Sequence, residues 1–304
     1  MTNEILPLVS VVVSCYNHEL YIKESILSVL NQTYKNIELI VFDDGSVDNS
    51  ASIIEALSKE HGFFFQRQKN IGFTPTLNKA IKLCKGKYIA FLGSDDLFFE
   101  DMIEKQIKFL EDRNDFAVCG GNMVFIDGDG RLLSKQKKKP YSEVDFFTIF
   151  NNRKAGPPAS SAMIRLDVLR EVGGYDPNIG LEDLYIWMKI THHGYRLAIL
   201  ENNLIYYRKH ESNTSKQYKF MSESIIEIYK LYNNEKGYLY AINKVMISMF
   251  LKASRLDKLY AIKLFKKISP QYYNLKVLRG IWWLIMPRKK PLKMFDSLFL
   301  GKRA

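Results

Sequence analysis

The sequence is poor in cysteine and has no long apolar run, and both absences limit what the chain can be. Its three cysteines, Cys15, Cys84 and Cys119, are odd in number and show no metal-ligand spacing. A disulfide framework and a cysteine zinc site are therefore disfavoured, and reduced, buried thiols in a cytosolic protein are predicted. No stretch approaches the roughly 20 apolar residues needed to cross a bilayer. No basic patch precedes an apolar stretch at the start, so no signal peptide is predicted.

An internal repeat and a Pro/Gly-rich linker are also missing, and the sequence divides by charge instead. Residues 1–215 contain 25 Lys and Arg against 28 Asp and Glu, a net charge of −3. Residues 216–304 contain 19 against 5, a net charge of +14. We therefore predict an ordinary globular domain over 1–215 and a basic module over 216–304 whose partner is anionic.

Short apolar runs alternate with amphipathic segments through the first hundred residues. The predicted strands are 8–13, 37–42, 63–65 and 88–92, and the predicted helices are 21–30, 48–57, 76–84 and 102–110. This alternation predicts an α/β fold with a doubly wound sheet. The later predicted elements are strands 116–126 and 161–164, a helix over 184–192 and an almost wholly helical region from about residue 222.

Acidic pairs follow two of the predicted strands. Asp43 and Asp44 come after the second strand, and Asp95 and Asp96 come after the fourth. In open α/β sheets, ligands bind beyond the carboxyl ends of the strands. Four carboxylates at one edge would repel each other, and Mg²⁺ or Mn²⁺ bound together with substrate phosphates would relieve that repulsion. The alternative is that each pair belongs to a helix-capping loop, because Asp is a common turn residue.

A third acidic pair, Glu182 and Asp183, stands just before an apolar helical segment. Acidic residues are favoured in the first turn of a helix, where they face the positive end of the helix dipole. The functional alternative is a general base. For the pair alone, the first-turn interpretation is favoured.

Taken in order, these elements resemble the family 2 glycosyltransferases, which have the GT-A fold. The resemblance runs from about residue 8 to 215. Its elements are Val9-Ser-Val-Val-Val-Ser-Cys-Tyr-Asn17, Asp43-Asp-Gly-Ser46, Asn70-Ile-Gly72 with Asn78, Ser94-Asp-Asp96, Gly173-Gly-Tyr-Asp176, Glu182-Asp183 and Tyr207-Arg-Lys-His210. It implies a Rossmann-like, mixed and mostly parallel sheet with helices on both faces, to which the helical, basic C-terminal region is an extension.

The resemblance implies that several of these residues bind a nucleotide-sugar donor. Ser14 and Tyr16 would line the nucleotide pocket, with Tyr16 stacking near the base. Asp44 would hydrogen-bond the base, and Asp43 would support that loop. Asp95 would lie near the ribose and the sugar.

Asn78 is a further donor-binding candidate by the same resemblance. The residue before it is Leu77, where family members often have Arg. Lys79 or Lys69 is therefore the alternative source of a contact to the diphosphate or the base.

The same resemblance implies the catalytic groups. Asp96 would hold a divalent metal, Mn²⁺ or Mg²⁺, on the donor diphosphate. His210 is a candidate further ligand of the metal or phosphate, and a surface histidine is the alternative. Asp183 would be the catalytic base, with Glu182 helping to place the acceptor. A single base opposite the leaving group implies transfer with inversion, by one displacement.

The basic C-terminal third contains two adjacent tryptophans, Trp282 and Trp283, followed by the basic run 288–290. Tryptophan beside apolar residues and flanking cations is typical of a helix that lies in a membrane interface. The alternative is a helical bundle packed on the catalytic domain. The membrane interpretation predicts an acceptor glycan linked to a lipid diphosphate. It places the enzyme at the cytoplasmic face of a bacterial cell membrane, in O-antigen or capsule assembly, by analogy with the family.

Three other functions remain as alternatives. A nucleic-acid-binding protein is suggested by the basic tail, but no nucleic-acid motif is present, and we predict no nucleic-acid partner. A nucleotidyltransferase would use the same carboxylates and metal but would release pyrophosphate. A non-catalytic nucleotide-sugar-binding protein would show no turnover. By family frequency, UDP is the expected nucleotide of the donor.

Overall fold

A computed structural model describes residues 6–133, 138–153, 155–210 and 218–286. By clustering in space, the chain divides into two compact units, Met1–Leu231 and Tyr232–Ala304. The boundary that charge suggests at residue 215/216 stays a prediction. The three cysteines are free and buried, as predicted.

The first unit is built on one mixed sheet of nine strands within the described residues. The strands are β1 Val9–Cys15, β2 Ile37–Asp43, β3 Phe64–Arg67, β4 Tyr88–Gly93, β5 Leu97–Phe98, β6 Phe116–Ile126, β7 Ser142–Val144, β8 Met163–Arg165 and β9 Arg196–Arg208. Their order is β3-β2-β1-β4-β8-β6-β9-β5, and β7 also pairs with β9. Strands β1 to β4 run parallel, whereas β8 is antiparallel to both of its neighbours, β4 and β6. The predicted mixed α/β sheet is therefore confirmed.

Helices cover both faces of this sheet. Those of the first unit are α1 Ile22–Leu30, α2 Ser50–His61, α3 Phe73–Leu83, α4 Met102–Glu111, α5 Phe146–Phe150, α6 Leu166–Glu171, α7 Glu182–His192 and α8 Tyr218–Lys230. Val9, Val11 and Val13 of β1 join one apolar core with side chains of α1, α2 and α4. Val12, which alternates with them, lines a cavity with Leu77 of α3 on the opposite face. Strand β1 is buried on both faces, which explains why valine dominates its sequence.

Several elements differ from the sequence-based prediction, and two of them have clear physical reasons. Helix α3 begins at Phe73, three residues before the predicted start, because Gly72 adopts a positive φ of 93° and turns the chain into the helix. It ends at Leu83, one residue before the predicted end, since Cys84 is already extended. Strand β9, the longest in the sheet among the described residues, was not predicted.

The second unit is helical over its described residues. It contains α9 Tyr238–Leu256, α10 Lys258–Phe265 and α11 Leu275–Ile285. Helix α11 packs closely on α9 at Gly280, where an added Cβ would lie 2.2 Å from Phe250 Cε1. Among the described helices, none is both long enough and apolar enough to span a membrane. The basic run 288–290 lies outside the described residues.

Candidate active site

The carboxyl ends of three central strands meet at one edge of the sheet. In the register of the parallel strands, Cys15 of β1 lies opposite Asp43 of β2. On the other side of β1, Ser14 lies opposite Gly93 of β4. The loops that follow are tied together, since Ser46 Oγ accepts a hydrogen bond of 2.9 Å from the backbone N–H of Asn17. The acidic pairs after β2 and β4 therefore lie near the same edge, as predicted.

Asp44 holds the loop that precedes α3. Its carboxylate accepts hydrogen bonds from the backbone N–H groups of Ile71 at 3.0 Å and Gly72 at 2.9 Å. A third hydrogen bond comes from Gln68 Nε2 at 2.9 Å. Both oxygens are thus engaged within the protein. The predicted contact of Asp44 with a nucleotide base and the predicted support of the same loop by Asp43 both stay predictions.

Asp43 is fully buried, and one of its oxygens has no partner. Its Oδ2 accepts a hydrogen bond of 3.1 Å from the backbone N–H of Ser46 and lies 3.6 Å from Arg67 Nε. Its Oδ1 is buried without a hydrogen bond. A buried unpaired oxygen costs free energy. Asp43 is therefore the carboxylate of this pair that would gain most from an additional donor.

The remaining predicted donor residues occupy different surroundings. Ser14 lines a cavity together with Glu182 and Asp183. Tyr16 is 48% exposed, which leaves its ring open for stacking. Asn78 joins two distant loops, because its Nδ2 donates to Tyr175 O at 2.7 Å and its Oδ1 accepts from Tyr175 N at 3.0 Å. The donor-binding role of Asn78 stays a prediction, and these contacts support a role in fixing the loop around Tyr175.

Lys79 and Lys69, the alternative donor contacts at the Leu77 position, differ in burial. Lys79 Nζ donates to Gln68 Oε1 at 2.9 Å and lies 5.3 Å from the centre of the Phe42 ring. Lys69 is exposed. Leu77 itself is buried in the cavity wall.

His210 lies against Asp95. The distance from His210 Nε2 to Asp95 Oδ2 is 2.7 Å. The ring of Tyr21 stacks on that of His210 with centroids 5.4 Å apart. His18 belongs to the same group, since one ligand atom each from His18, Asp95 and His210 lie within 4.8 Å of one another. Two imidazoles and a carboxylate at this spacing fit a divalent transition metal.

Asp96, predicted with His210 as a metal ligand, points elsewhere. Its side chain is buried and accepts hydrogen bonds of 2.9 Å from Arg208 N and from Ser160 Oγ. Burial, and then the negative charge of Asp95, raise the pKa of Asp96 to about 7. The structure therefore brings Asp95 to His210, whereas Asp96 bonds Arg208 and Ser160. A direct bond from Asp96 to metal stays a prediction.

Arg208, which is 1% exposed, connects the parts of this region. Its Nε donates to Asp95 O at 2.9 Å, and its Nη1 donates to Gly128 O at 2.9 Å. Its Nη2 donates to Glu24 Oε2 at 2.7 Å. The guanidinium also lies over the Tyr21 ring, 4.9 Å from its centre. Tyr21 thus contacts both Arg208 and His210, so α1 and the end of β9 are fixed to the Asp95 turn.

Glu182 and Asp183 begin α7 and line a cavity of about 90 Å³. Ser14 and Gly93 from the strand ends and Ser160, which bonds Asp96, line it too. Desolvation raises the pKa of Asp183. Burial, and then the charge of Asp183, raise the pKa of Glu182 to about 7. Two acids with raised pKa values therefore line one cavity, which suits acid–base catalysis there.

The sequence analysis did not single out His18 or Tyr21. Both come shortly after Tyr16 and Asn17, at the end of the first strand motif. This position was the signal that could have indicated them as site residues. Arg208 belongs to the motif Tyr207-Arg-Lys-His210, but the sequence analysis assigned it no role.

A mixed sheet of this topology, with acidic residues gathered at the strand ends and around one cavity, agrees with the GT-A fold that the sequence motifs imply. The sequence profile of the family described as Glycosyl transferase family 2 matches residues 10–173. The chain belongs to glycosyltransferase family 2, as its motifs predict.

Individual relatives agree with this assignment. An uncharacterized glycosyltransferase of Methanocaldococcus jannaschii is 31% identical over 208 residues, which are 66% of this chain and 71% of the relative. S. aureus TarS 1–349, solved in complex with UDP-GlcNAc, superposes with a TM-score of 0.65 at 19% identity, covering 91% of this chain and 79% of TarS 1–349.

A second solved structure has the same fold. The mannosyltransferase PcManGT from Pyrobaculum calidifontis, in complex with GDP-Man and Mn²⁺, has a TM-score of 0.57 at 16% identity. The superposition covers 91% of this chain and 85% of the PcManGT chain.

Proposed function

We propose that this chain is an inverting, metal-dependent glycosyltransferase that moves a sugar from a nucleoside-diphosphate sugar to a hydroxyl of a glycan acceptor. The observation that carries the proposal is the cavity at the strand ends, which Asp183 and Glu182 line together with Ser14 and Gly93. A covalent double displacement would need a carboxylate nucleophile in addition to the base, and we assign both acids of the cavity to the acceptor side.

Asp183 is the proposed base. An acceptor hydroxyl is a weak nucleophile, so a carboxylate in reach must take its proton as the new bond forms. The raised pKa of Asp183 makes it a stronger base than an exposed aspartate. Glu182, with a pKa of about 7, can hold the acceptor through a hydrogen bond in either protonation state. Both side chains belong to the first turn of α7, which keeps them together.

Asp95 and His210 are the proposed protein ligands of the cation, with Asp96 in support. A bound Mn²⁺ or Mg²⁺ would neutralise charge on the leaving diphosphate without proton transfer. Asp96 accepts from Arg208 N and thereby fixes the backbone that leads to His210. The solved complex of PcManGT contains Mn²⁺ with GDP-Man, which supports a cation at a site of this fold.

Donor release tests this function. We expect the full-length protein to release nucleoside diphosphate from one donor when a lipid-diphosphate-linked glycan is present. UDP sugars come first, because TarS was solved with UDP-GlcNAc, and GDP-mannose is the second choice. Omitting Mn²⁺ and Mg²⁺ or adding chelator is expected to reduce release at least about 100-fold, since the leaving group then lacks charge neutralisation.

Two alanine variants, one at the metal site and one on the surface, serve as the comparison for this test. Asp95→Ala is expected to behave like chelated wild type, whereas the exposed Asp112→Ala is expected to retain wild-type release. Pyrophosphate as the product would identify a nucleotidyltransferase instead. Donor binding without any release, for every acceptor tried, would identify a non-catalytic binder. Full activity in chelator would remove the metal from the proposal.

We propose further that the second unit contacts an anionic membrane surface, at the inner face of the cell membrane, in O-antigen or capsule assembly. Leu275, Leu278, Trp282 and Ile285 recur along α11 at helical spacing and are all at least half exposed. Lys276 and Arg279 lie on the same helix. Apolar and aromatic residues flanked by cations suit the boundary of an anionic bilayer.

Vesicle sedimentation checks the membrane contact. The protein is expected to bind vesicles rich in phosphatidylglycerol and to stay in solution with phosphatidylcholine alone, because cations and apolar residues act together. Trp282→Ser combined with Ile285→Ser is expected to reduce binding about tenfold or more, since two exposed anchors are lost. Leu239→Ser, an equally exposed position on α9, is the control. Retention on nucleic acid in preference to these vesicles would contradict the proposal.

A further inference from the structure

Three separate strand ends bring metal-binding side chains to one point. His18 follows β1, Asp95 follows β4 and His210 follows β9. One ligand atom from each residue lies within 4.8 Å of the other two. Of these three, His18 has no role in the function proposed above.

The imidazole of His18 is oriented by its surroundings. Its Nδ1 lies 2.7 Å from Ser94 Oγ, next in sequence to Asp95. The ring meets that of His210 edge-on, with centroids 5.8 Å apart and planes at 81°. Histidines that bind metals usually bond a second group through the other ring nitrogen. With Nδ1 engaged by Ser94, Nε2 is the atom that remains for a ligand bond.

The backbone of His18 is fixed as well. Its N–H donates to Ser50 Oγ at 3.0 Å, and its carbonyl accepts from the N–H groups of Tyr21 and Ile22 at the start of α1. The side chain is partly buried rather than on the surface. Because its backbone is fixed and its ring is hydrogen-bonded, His18 loses less conformational entropy when it binds a metal.

We propose that His18 is a third protein ligand of the divalent cation, together with Asp95 and His210, and that the cation binds before the nucleotide sugar. This inference rests on the metal site of the proposed function. Mg²⁺ is commonly held by one or two carboxylates and completed by substrate phosphates, so it depends on the nucleotide. Two imidazoles and one carboxylate supply three ligands from the protein alone and favour Mn²⁺, Co²⁺ or Zn²⁺ over Mg²⁺.

Calorimetric titration of the nucleotide-free, full-length protein with Co²⁺ tests the claim of prior binding. The wild type is expected to bind one equivalent, and Mg²⁺ is expected to compete poorly because imidazole is a poor ligand for it. His18→Ala is expected to weaken Co²⁺ binding at least about tenfold. Loss of a residue that merely hydrogen-bonds a metal ligand already costs about that much affinity. His193→Ala removes an exposed histidine of the same unit and is expected to leave the affinity unchanged.

Electron spin-echo spectroscopy with Cu²⁺ as the probe separates a ligand from a positioning residue. It reports how many imidazoles bind the metal. Two are expected in the wild type and one each in His18→Ala and His210→Ala. Ser94→Ala removes the hydrogen bond to His18 but keeps the imidazole, and two are expected to remain.

The outcomes also separate this inference from the proposed function. A single imidazole in the wild type, or unchanged Co²⁺ affinity in His18→Ala, overturns the role of His18 even if turnover stays metal-dependent. Co²⁺ binding only after UDP is added overturns the order of binding. Metal-independent turnover, by contrast, overturns the metal site of the proposed function itself.

Discussion

Replacing Asp183 by asparagine is expected to reduce sugar transfer by about 10²–10⁴-fold, the usual contribution of a general base. The amide has nearly the same shape but cannot take the proton of the acceptor hydroxyl. Donor binding should persist, because the acidic pairs at the strand ends are untouched. The measurement is the steady-state rate of nucleoside diphosphate release, with the donor affinity determined separately by calorimetry.

The pH dependence and the stability of the Asp183 variant provide its controls. The base must be ionised, so the wild-type rate is expected to rise with pH through the raised pKa of Asp183. A raised pKa also means that ionisation is less favourable in the folded protein than in the unfolded chain, which lowers stability as pH rises. Asp183→Asn is therefore expected to be at least as stable as wild type at pH 8. Near-normal turnover in this variant would eliminate Asp183 as the base, and Asp112→Asn is the matched surface control.

Replacing Arg208 by methionine is expected to lower the stability of the first unit by about 3 kcal/mol, within the range for breaking a buried charged network. The side chain is almost fully buried, and its loss leaves Asp95 O and Gly128 O without their donor. For a unit of this size, the transition midpoint is expected to fall by roughly 6–12 °C. Thermal denaturation followed by circular dichroism measures this shift.

The control for Arg208 is Arg131→Met. Arg131 pairs with Asp129 on the surface, where both side chains are mostly exposed. Exposed ion pairs contribute about 0–1 kcal/mol, so a midpoint close to that of wild type is expected. Equal shifts in the two variants would show that Arg208 does not fix this region.

Much of the sheet could be predicted because its strands are unambiguous in sequence. Strands β1, β2 and β4 are mostly apolar and mostly buried, and turn residues follow each of them. Strand β9 escaped prediction because polar residues, 201–203, interrupt its apolar pattern. The structure tolerates them because the pairing with β6 shifts register there. The amide of Asn122 bonds the carbonyl of Glu201 at 3.0 Å, so this irregularity depends on a residue about 80 positions earlier.

The members of the candidate site could be predicted better than their arrangement. Asp95 and Asp96 are adjacent and chemically alike, so the sequence cannot show which one faces His210. That choice depends on Arg208, whose backbone N–H bonds the carboxylate of Asp96 and leaves Asp95 to the histidine. The same holds for Asp43 and Asp44, where the loop around Gly72 selects Asp44.

The link between Asp95 and His210 joins residues 115 positions apart. On a ribosome that adds about 5–20 residues per second, His210 is translated on the order of ten seconds after Asp95. A nascent chain can therefore complete β1, β2 and β4 while the histidine that pairs with Asp95 has not yet been made. Capture of a metal ion by both residues must wait until residue 210 has been made, whereas the edge formed by these three strands can assemble much earlier.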